Sequence, residues 1–180
     1  MQKYKSLLLT TLSSLLPSLL FCQWLEATIP VGNNPWSLVY NSLNNKVYCT
    51  NRGSDNVTVI DKYDSVIKTI QVGDEPLALV YNSLNNKVYC ANFFSGDVTI
   101  IDGESNSVIT TVLSGSAPWA LVYNSLNNKV YCANRASNNV SVIDGASNSV
   151  ITTIPAGDGS WVLVWNSTNN KVYSANKDSN

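Results

Sequence analysis

One nine-residue segment recurs along this chain and constrains its fold more than any other feature. The segment Asn-Ser-Leu-Asn-Asn-Lys-Val-Tyr-Cys occupies residues 41–49, 82–90 and 124–132, and a variant occupies residues 166–174. A period of about 40 to 45 residues is typical of four-stranded propeller blades, and it is too long for leucine-rich or ankyrin repeats. The chain is therefore a tandem repeat of about 42 residues per unit, and the period favours an all-β fold.

Each repeat contains four short segments that are typical of β-strands. In the second repeat, Leu77 to Tyr81 form a continuous apolar run, as expected for a strand that is covered on both faces. The next three segments are rich in β-branched residues and are separated by turn-forming residues. They lie at residues 87–92, 97–102 and 107–112. The pattern predicts one antiparallel meander, with strands that we call A, B, C and D.

A single meander of this kind cannot bury both of its faces, so neighbouring sheets must stack. A linear solenoid is one solution and a closed β-propeller is the other. Residues 25–30 align with strand D at residues 150–155, so the mature chain is expected to begin with a separate strand D that closes the ring. The sequence thus predicts three full blades, half of a fourth and this closing strand, as a piece of a larger ring. The predicted units are the closing strand (23–30), blade 1 (31–71), blade 2 (72–113), blade 3 (114–155) and the first half of blade 4 (156–180).

The first 22 residues have the pattern of a secretory signal peptide. A basic start, with Lys3 and Lys5, precedes a run of only Ser, Thr, Leu, Pro and Phe from Ser6 to Phe21. A membrane-spanning helix needs about 20 apolar residues, whereas this run is shorter and contains Pro17. We therefore expect an exported protein that acts in the periplasm, at the cell surface or outside the cell. The alternative is a lipid-anchored protein that is acylated at Cys22, as in a bacterial lipoprotein.

The composition excludes several kinds of chemistry. Eleven basic and twelve acidic residues give a net charge of -1, whereas nucleic-acid proteins depend on concentrated positive charge. The chain has no His, which is the commonest general base and metal ligand. No Cys pair has zinc spacing. We expect no catalytic group, metal site or cofactor, and we interpret Cys49, Cys90 and Cys132 as free, buried, small apolar residues.

The motif at Tyr48-Cys49-Thr50-Asn51, with Asn56 to Asp61 after it, resembles the YVTN-type β-propeller repeat, with Cys in place of its Val. Related motifs follow in the other repeats, and the Val-Gly-x-x-Pro entry also matches, at residues 31–35 and 72–76. The resemblance covers the chain after the signal. It implies a seven-bladed ring of the kind seen in YncE-like periplasmic proteins and archaeal surface-layer proteins. Propellers of this kind serve several functions, so the resemblance implies no single activity.

The order of the strands places two sets of loops on one face of the ring. The D-to-A and B-to-C loops share this face, and the A-to-B and C-to-D turns share the other. The A-to-B turns are copies of one another, which suits a structural role, whereas the B-to-C loops differ from blade to blade. We expect Trp residues near the channel mouth, with the variable residues further out. The candidate binding residues are Trp36, Trp119, Trp161, Arg52, Phe93, Phe94, Arg135 and Lys177.

Two interpretations of these residues remain open. Trp residues near the axis can fill space between blades as well as stack against a ligand, and the basic residues can form a solvated rim. We expect an exported, non-catalytic scaffold that binds a protein, peptide or carbohydrate on this face. The alternatives are a lactonase-type or redox-associated propeller enzyme whose active residues lie in further blades, and a single-stranded DNA-binding protein of YncE type.

Overall fold

The computed structural model describes residues 28–179, and these residues form fourteen β-strands and no helix. The predicted signal segment lies outside the described residues. So does most of the predicted closing strand, whose last residues, Thr28 to Pro30, belong to no strand. The strands are β1 (Pro35–Asn41), β2 (Lys46–Asn51), β3 (Asn56–Ile60), β4 (Val66–Gln71), β5 (Pro76–Asn82), β6 (Lys87–Asn92), β7 (Asp97–Asp102), β8 (Ser107–Leu113), β9 (Pro118–Asn124), β10 (Lys129–Asn134), β11 (Asn139–Asp144), β12 (Ser149–Pro155), β13 (Ser160–Asn166) and β14 (Lys171–Asn176).

The strands pair in sequence order into antiparallel sheets. Three sheets have four strands each, β1 to β4, β5 to β8 and β9 to β12, and β13 pairs with β14. The first strands of successive sheets lie beside one another, so β1, β5, β9 and β13 form the innermost layer. The sheets are therefore stacked blades, and each blade has its first strand nearest the axis. This confirms the all-β, four-stranded blade architecture that the repeat period predicts.

The recurring nine-residue segment forms the hairpin between strands A and B. In blade 2 the register pairs Asn82 with Lys87, and the turn between them ends at Asn86 with a φ of 52°. A positive φ strains most side chains, but Asn tolerates it well. The same position in the other blades is also Asn, at 45, 128 and 170, with a φ of 54° or 55°. The repeated Asn therefore has a local backbone cause.

The hydrophobic cores lie between neighbouring blades. Between blades 1 and 2, Tyr48 and Val59 from blade 1 pack in one cluster with Val88 and Ile101 from blade 2. Between blades 2 and 3, Tyr89 and Ile100 take the equivalent places. Burial of side chains of this size stabilises a fold by about 1.5–3 kcal/mol each. Since each cluster draws on two sheets, a blade is stable only against its neighbours.

Buried Asn side chains also connect the blades on the face of the A-to-B turns. Asn82 is fully buried, accepts a hydrogen bond from the backbone N–H of Leu84 at 3.0 Å, and donates from Nδ2 to Oδ1 of Asn128 in the next blade at 2.8 Å. Asn41 and Asn124 make the same contacts with the next blade, to Asn86 and Asn170. We call these three contacts the Asn clasps. They give the repeated segment its structural role.

A second set of buried Asn side chains joins strands B and C beneath the variable loops. Nδ2 of Asn92 donates to Asp97 Oδ1 at 2.6 Å and to Thr99 Oγ1 at 2.9 Å, and its Oδ1 accepts a weak hydrogen bond from the Cys90 thiol at 3.4 Å. In blade 4 a Ser hydroxyl takes the place of the thiol, since Ser174 Oγ donates to Asn176 Oδ1 at 2.9 Å. The repeat Cys therefore acts as a weak donor, a role additional to that of a small apolar residue.

Cys49, Cys90 and Cys132 are free and buried, as the sequence predicts. Burial raises the pKa of all three thiols, that of Cys132 to about 12. Because the thiolate is the reactive form, we expect iodoacetamide at pH 8 to leave these three positions unmodified in the folded protein and to modify them in denaturant. Peptide mass spectrometry measures this directly. Rapid labelling of Cys90 under native conditions would contradict the blade packing.

Candidate functional site

The D-to-A and B-to-C loops lie on the same face because backbone hydrogen bonds join them in every blade. In blade 3 the N–H of Arg135 donates to the carbonyl of Ala117 at 2.9 Å, and that of Ala136 donates to Ser116 at 3.1 Å. Equivalent pairs of bonds start from Arg52 and Gly53, from Phe93 and Phe94, and from Lys177 and Asp178. The first two residues of each B-to-C loop are thus fixed in position. This is where the sequence differs between blades.

A close approach between the same two loops explains the Gly of the Val-Gly-x-x-Pro entry. A Cβ atom added at Gly73 would lie 2.5 Å from Ser95 Oγ and 2.8 Å from Asn92 Nδ2. Real Cβ atoms do not come so close to their neighbours, so any larger residue would push the loops apart. The entry Gly therefore allows the D-to-A loop to pack closely against the B-to-C loop that carries the variable side chains.

Six of the eight predicted site residues form one continuous row across blades 2, 3 and 4. We call it the aromatic–cation row, and it consists of Phe94, Phe93, Trp119, Arg135, Trp161 and Lys177. Phe93 contacts Phe94 edge to face at 5.1 Å and Trp119 at 5.7 Å, measured between ring centroids. The Trp119 and Trp161 rings are 4.3 Å apart and tilted by 34°.

The basic residues of the row lie over the Trp rings. The Arg135 guanidinium carbon is 5.4 Å from the Trp119 ring centroid and 4.6 Å from that of Trp161, and Lys177 Nζ is 4.7 Å from Trp161. The sequence predicts Arg135 further out on this face than the Trp residues, and in the structure its guanidinium carbon lies over two of the Trp rings. Each such contact contributes about 0.5–1 kcal/mol at an exposed site. The row is therefore an ordered surface, with Phe94 exposed at one end and Lys177 exposed at the other.

The remaining two predicted residues form a separate pair in blade 1. Arg52 lies 5.5 Å from the centroid of the exposed Trp36 ring and makes an ion pair with Glu75 at 2.8 Å. Blade 2 has Leu77 where the other blades have Trp, and Leu77 is buried. The series of Trp residues at the start of strand A is therefore interrupted at blade 2, and Trp36 does not join the aromatic–cation row.

Two clefts flank the aromatic–cation row. One has a volume of about 670 Å³ and is lined by Phe93, Phe94, Leu113 and residues 114–117, among others. The other, of about 370 Å³, is lined by Phe93 and Arg135 together with the acidic residues Asp158 and Asp178. Asp158 in this cleft and Glu75 beside Arg52 are not among the residues that the sequence predicts for this face. Their position in the D-to-A loops, directly before strand A, is the signal that could have placed them on this face.

Asp102 and Asp144 are the last residues of β7 and β11, and they accept hydrogen bonds in the turns that follow strand C. Asp102 Oδ1 accepts from the backbone N–H of Ser105 at 2.7 Å and from its hydroxyl at 2.8 Å, and Asp144 makes the same contacts with Ser147. These bonds stabilise the carboxylate form, so they hold the pKa of both Asp side chains below the ordinary value. The geometry therefore assigns both Asp side chains to the turns between strands C and D.

A pH dependence of stability follows from these lowered pKa values. The stabilisation from Asp102 and Asp144 is fully present above the unfolded-state pKa of about 3.9, and it is lost as the pH falls below that value toward the folded-state pKa. We expect the urea midpoint to fall between pH 5 and pH 3. In a variant that combines Asp102→Asn and Asp144→Asn, which keeps the acceptor oxygens but cannot titrate there, this fall should be smaller. An equal fall in both proteins would show that other groups govern acid stability.

The described residues contain no cluster of three or more His, Cys, Asp or Glu side chains that could hold a metal ion. Within residues 28–179 there is likewise no helix with the length and apolar character needed to cross a membrane.

Comparison with solved structures supports the fold. No family model matches the sequence, and no curated protein matches it. Among solved structures, the chain resembles hydrazine synthase from Kuenenia stuttgartiensis, with a TM-score of 0.75 and 16% identity over 87% of this chain and 47% of that one. It also resembles the WD40 β-propeller domain of Doa1, with a TM-score of 0.66 and 16% identity over 81% of this chain and 48% of that one.

Identities at this level establish the fold alone, and the chain spans about half the length of each of these structures. The stacked four-stranded sheets, the innermost position of each strand A and the likeness to known propellers agree with one another. The protein has a β-propeller fold, of which the described residues form three complete blades and the first two strands of a fourth.

Proposed function

We propose that the protein is an exported, non-catalytic binding module that holds a protein, peptide or carbohydrate on the face of its D-to-A and B-to-C loops. The observation that carries this proposal is the aromatic–cation row. It combines large aromatic side chains, cations and two adjoining clefts, and such apolar surfaces with a few placed polar groups are typical of ligand sites. Aromatic and Arg side chains are also the residues that dominate the energy of protein interfaces.

The contrast between the two faces supports the same proposal. On the face of the A-to-B turns, the same Asn-rich segment recurs, and its side chains are used in contacts between blades. On the loop face, the backbone is fixed in the same way in every blade while the side chains differ. A rigid frame that presents variable side chains is what a binding surface requires. The export signal that the sequence predicts would place this surface outside the cytoplasm.

A pair of matched double variants tests this proposal. Phe93→Ser with Phe94→Ser alters the loop face, and Leu84→Ser with Leu126→Ser alters the opposite face, where both Leu side chains are about 65% exposed. The parent and both variants are applied to arrays of peptides and glycans. We expect the Phe93 and Phe94 variant to lose about tenfold or more in affinity for the ligands that the parent binds, and the Leu84 and Leu126 variant to bind as the parent does. The reverse pattern would overturn the proposal.

A further inference from the structure

Two cations of the aromatic–cation row share one indole ring and have no acidic partner. Arg135 lies 4.6 Å and Lys177 lies 4.7 Å from the centroid of Trp161. Within residues 28–179, the ion pair between Arg52 and Glu75 is the only one, so neither Arg135 nor Lys177 is paired with a carboxylate. Among the described residues, no Asp or Glu oxygen therefore lies within 4.0 Å of either cation, and both charges are left without a carboxylate partner.

Blade 1 shows how the same position is neutralised within the protein. Arg52 is the blade 1 equivalent of Arg135, and its partner Glu75 comes from the D-to-A loop of the next blade. The equivalent of Glu75 in the blade after Arg135 is Gly159. The backbone bonds establish this equivalence, because the Glu75 carbonyl accepts from the N–H of Phe93 and the Gly159 carbonyl accepts from the N–H of Lys177. Where blade 2 supplies a Glu side chain to its cation, blade 4 has Gly159. The Asp178 carboxylate lies against Gly159 but does not come within 4.0 Å of Arg135 or Lys177.

We propose that Arg135 and Lys177 form a carboxylate-binding site over Trp161, in which a ligand carboxylate takes the place that Glu75 takes beside Arg52. Contact with the indole restricts the Arg135 side chain, and a planar guanidinium matches a carboxylate with two parallel hydrogen bonds. Because the cations belong to the aromatic–cation row, this inference rests on the proposed function and names the chemistry of its ligand.

The acidic residues nearby favour a singly charged anion. Asp158 and Asp178 line the 370 Å³ cleft together with Arg135, and Asp158 accepts a hydrogen bond from Asn138 Nδ2 at 2.8 Å. Their carboxylates repel a doubly charged phosphate more strongly than a carboxylate. They also offer acceptors to ligand hydroxyl or ammonium groups. The site therefore selects a carboxylate next to hydrogen-bond donors, such as an acidic side chain of a peptide or an acidic sugar.

The experiment titrates the tryptophan emission of the full chain with small probes at constant ionic strength. The probes are N-acetylglutamate α-amide for a peptide carboxylate, glucuronate for a sugar carboxylate, N-acetylglutamine α-amide as the neutral analogue, and inorganic phosphate. We expect at least one carboxylate to bind saturably and more tightly than phosphate, and the neutral analogue to have no effect. The preference between the two carboxylates identifies the class of ligand.

Matched variants locate the site. Arg135→Gln should weaken carboxylate binding about tenfold or more, and Arg135→Lys should weaken it less. Arg52→Gln should leave carboxylate binding unchanged, because Arg52 already forms an ion pair with Glu75. Unchanged binding in Arg135→Gln, tighter binding of phosphate, or an effect no larger than that of added NaCl would each overturn the inference. If no carboxylate binds while the Phe93 and Phe94 variant still loses its array ligands, the carboxylate site is wrong and the proposed function stands.

Discussion

Asn82→Ala is expected to destabilise the protein by about 2 kcal/mol or more. The side chain of Asn82 is fully buried, donates to Asn128 across the gap between blades 2 and 3, and accepts from the backbone N–H groups of Leu84 and Asn85. Removal of a buried partner leaves its neighbours without hydrogen bonds, which costs about 1–3 kcal/mol. Loss of the clasp also weakens the stacking of two blades. The shift of the urea midpoint at an unchanged m-value measures the effect.

Asn166→Ala provides the matched control. Asn166 has the same place in the recurring segment, but it is exposed, and within residues 28–179 its Oδ1 accepts only from the backbone N–H of Thr168, at 2.9 Å. We expect this variant to lose less than about 1 kcal/mol, as for an exposed turn hydrogen bond. Equal losses in the two variants would mean that the turn itself, and not the contact between blades, determines the effect of Asn82.

Trp119→Ala is expected to weaken binding of a partner found in the array experiment by about 2 kcal/mol or more, which is about 30-fold in Kd. Trp119 is the central ring of the aromatic–cation row, since it contacts Phe93, Arg135 and Trp161. Its removal takes away a large contact surface and frees Arg135 from one of its two supporting rings. Isothermal titration calorimetry of the parent and the variant gives the change in affinity.

The control for Trp119 lies on the opposite face. Asn127 Nδ2 donates to the Tyr131 hydroxyl at 3.1 Å in the A-to-B turn of the same blade. Asn127→Ala should lower stability and leave affinity intact. Both variants are compared at temperatures where they are equally folded, because Trp119 also packs against its neighbours. Parent-like binding by Trp119→Ala, together with lost binding in the turn variant, would show that the faces are assigned the wrong way round.

The blade architecture could be predicted from the sequence because its signals are local and repeated. Alternation of β-branched residues, turn-forming Asn and the 42-residue period placed the strands of blade 2 within one residue of their observed ends. Strand parity then placed Trp119, Trp161, Phe93 and Arg135 on one face, since successive antiparallel hairpins return the chain to alternate ends of the sheet. These inferences need only the order of elements along the chain.

Stacking of the blades decided what local pattern could not. Asn41 and its partner Asn86 are 45 residues apart, and Arg52 and its partner Glu75 are 23 residues apart, so each contact joins two different blades and lies outside any local pattern. The presence of Arg or Lys in the sequence does not tell whether its side chain points to solvent or lies over an indole of the neighbouring blade. The position of one blade relative to the next determines which of the two occurs. The sequence therefore determined the blade, its strands and the face that varies. The tertiary structure decided which side chains meet across the gaps, because those contacts depend on how one sheet packs against the next.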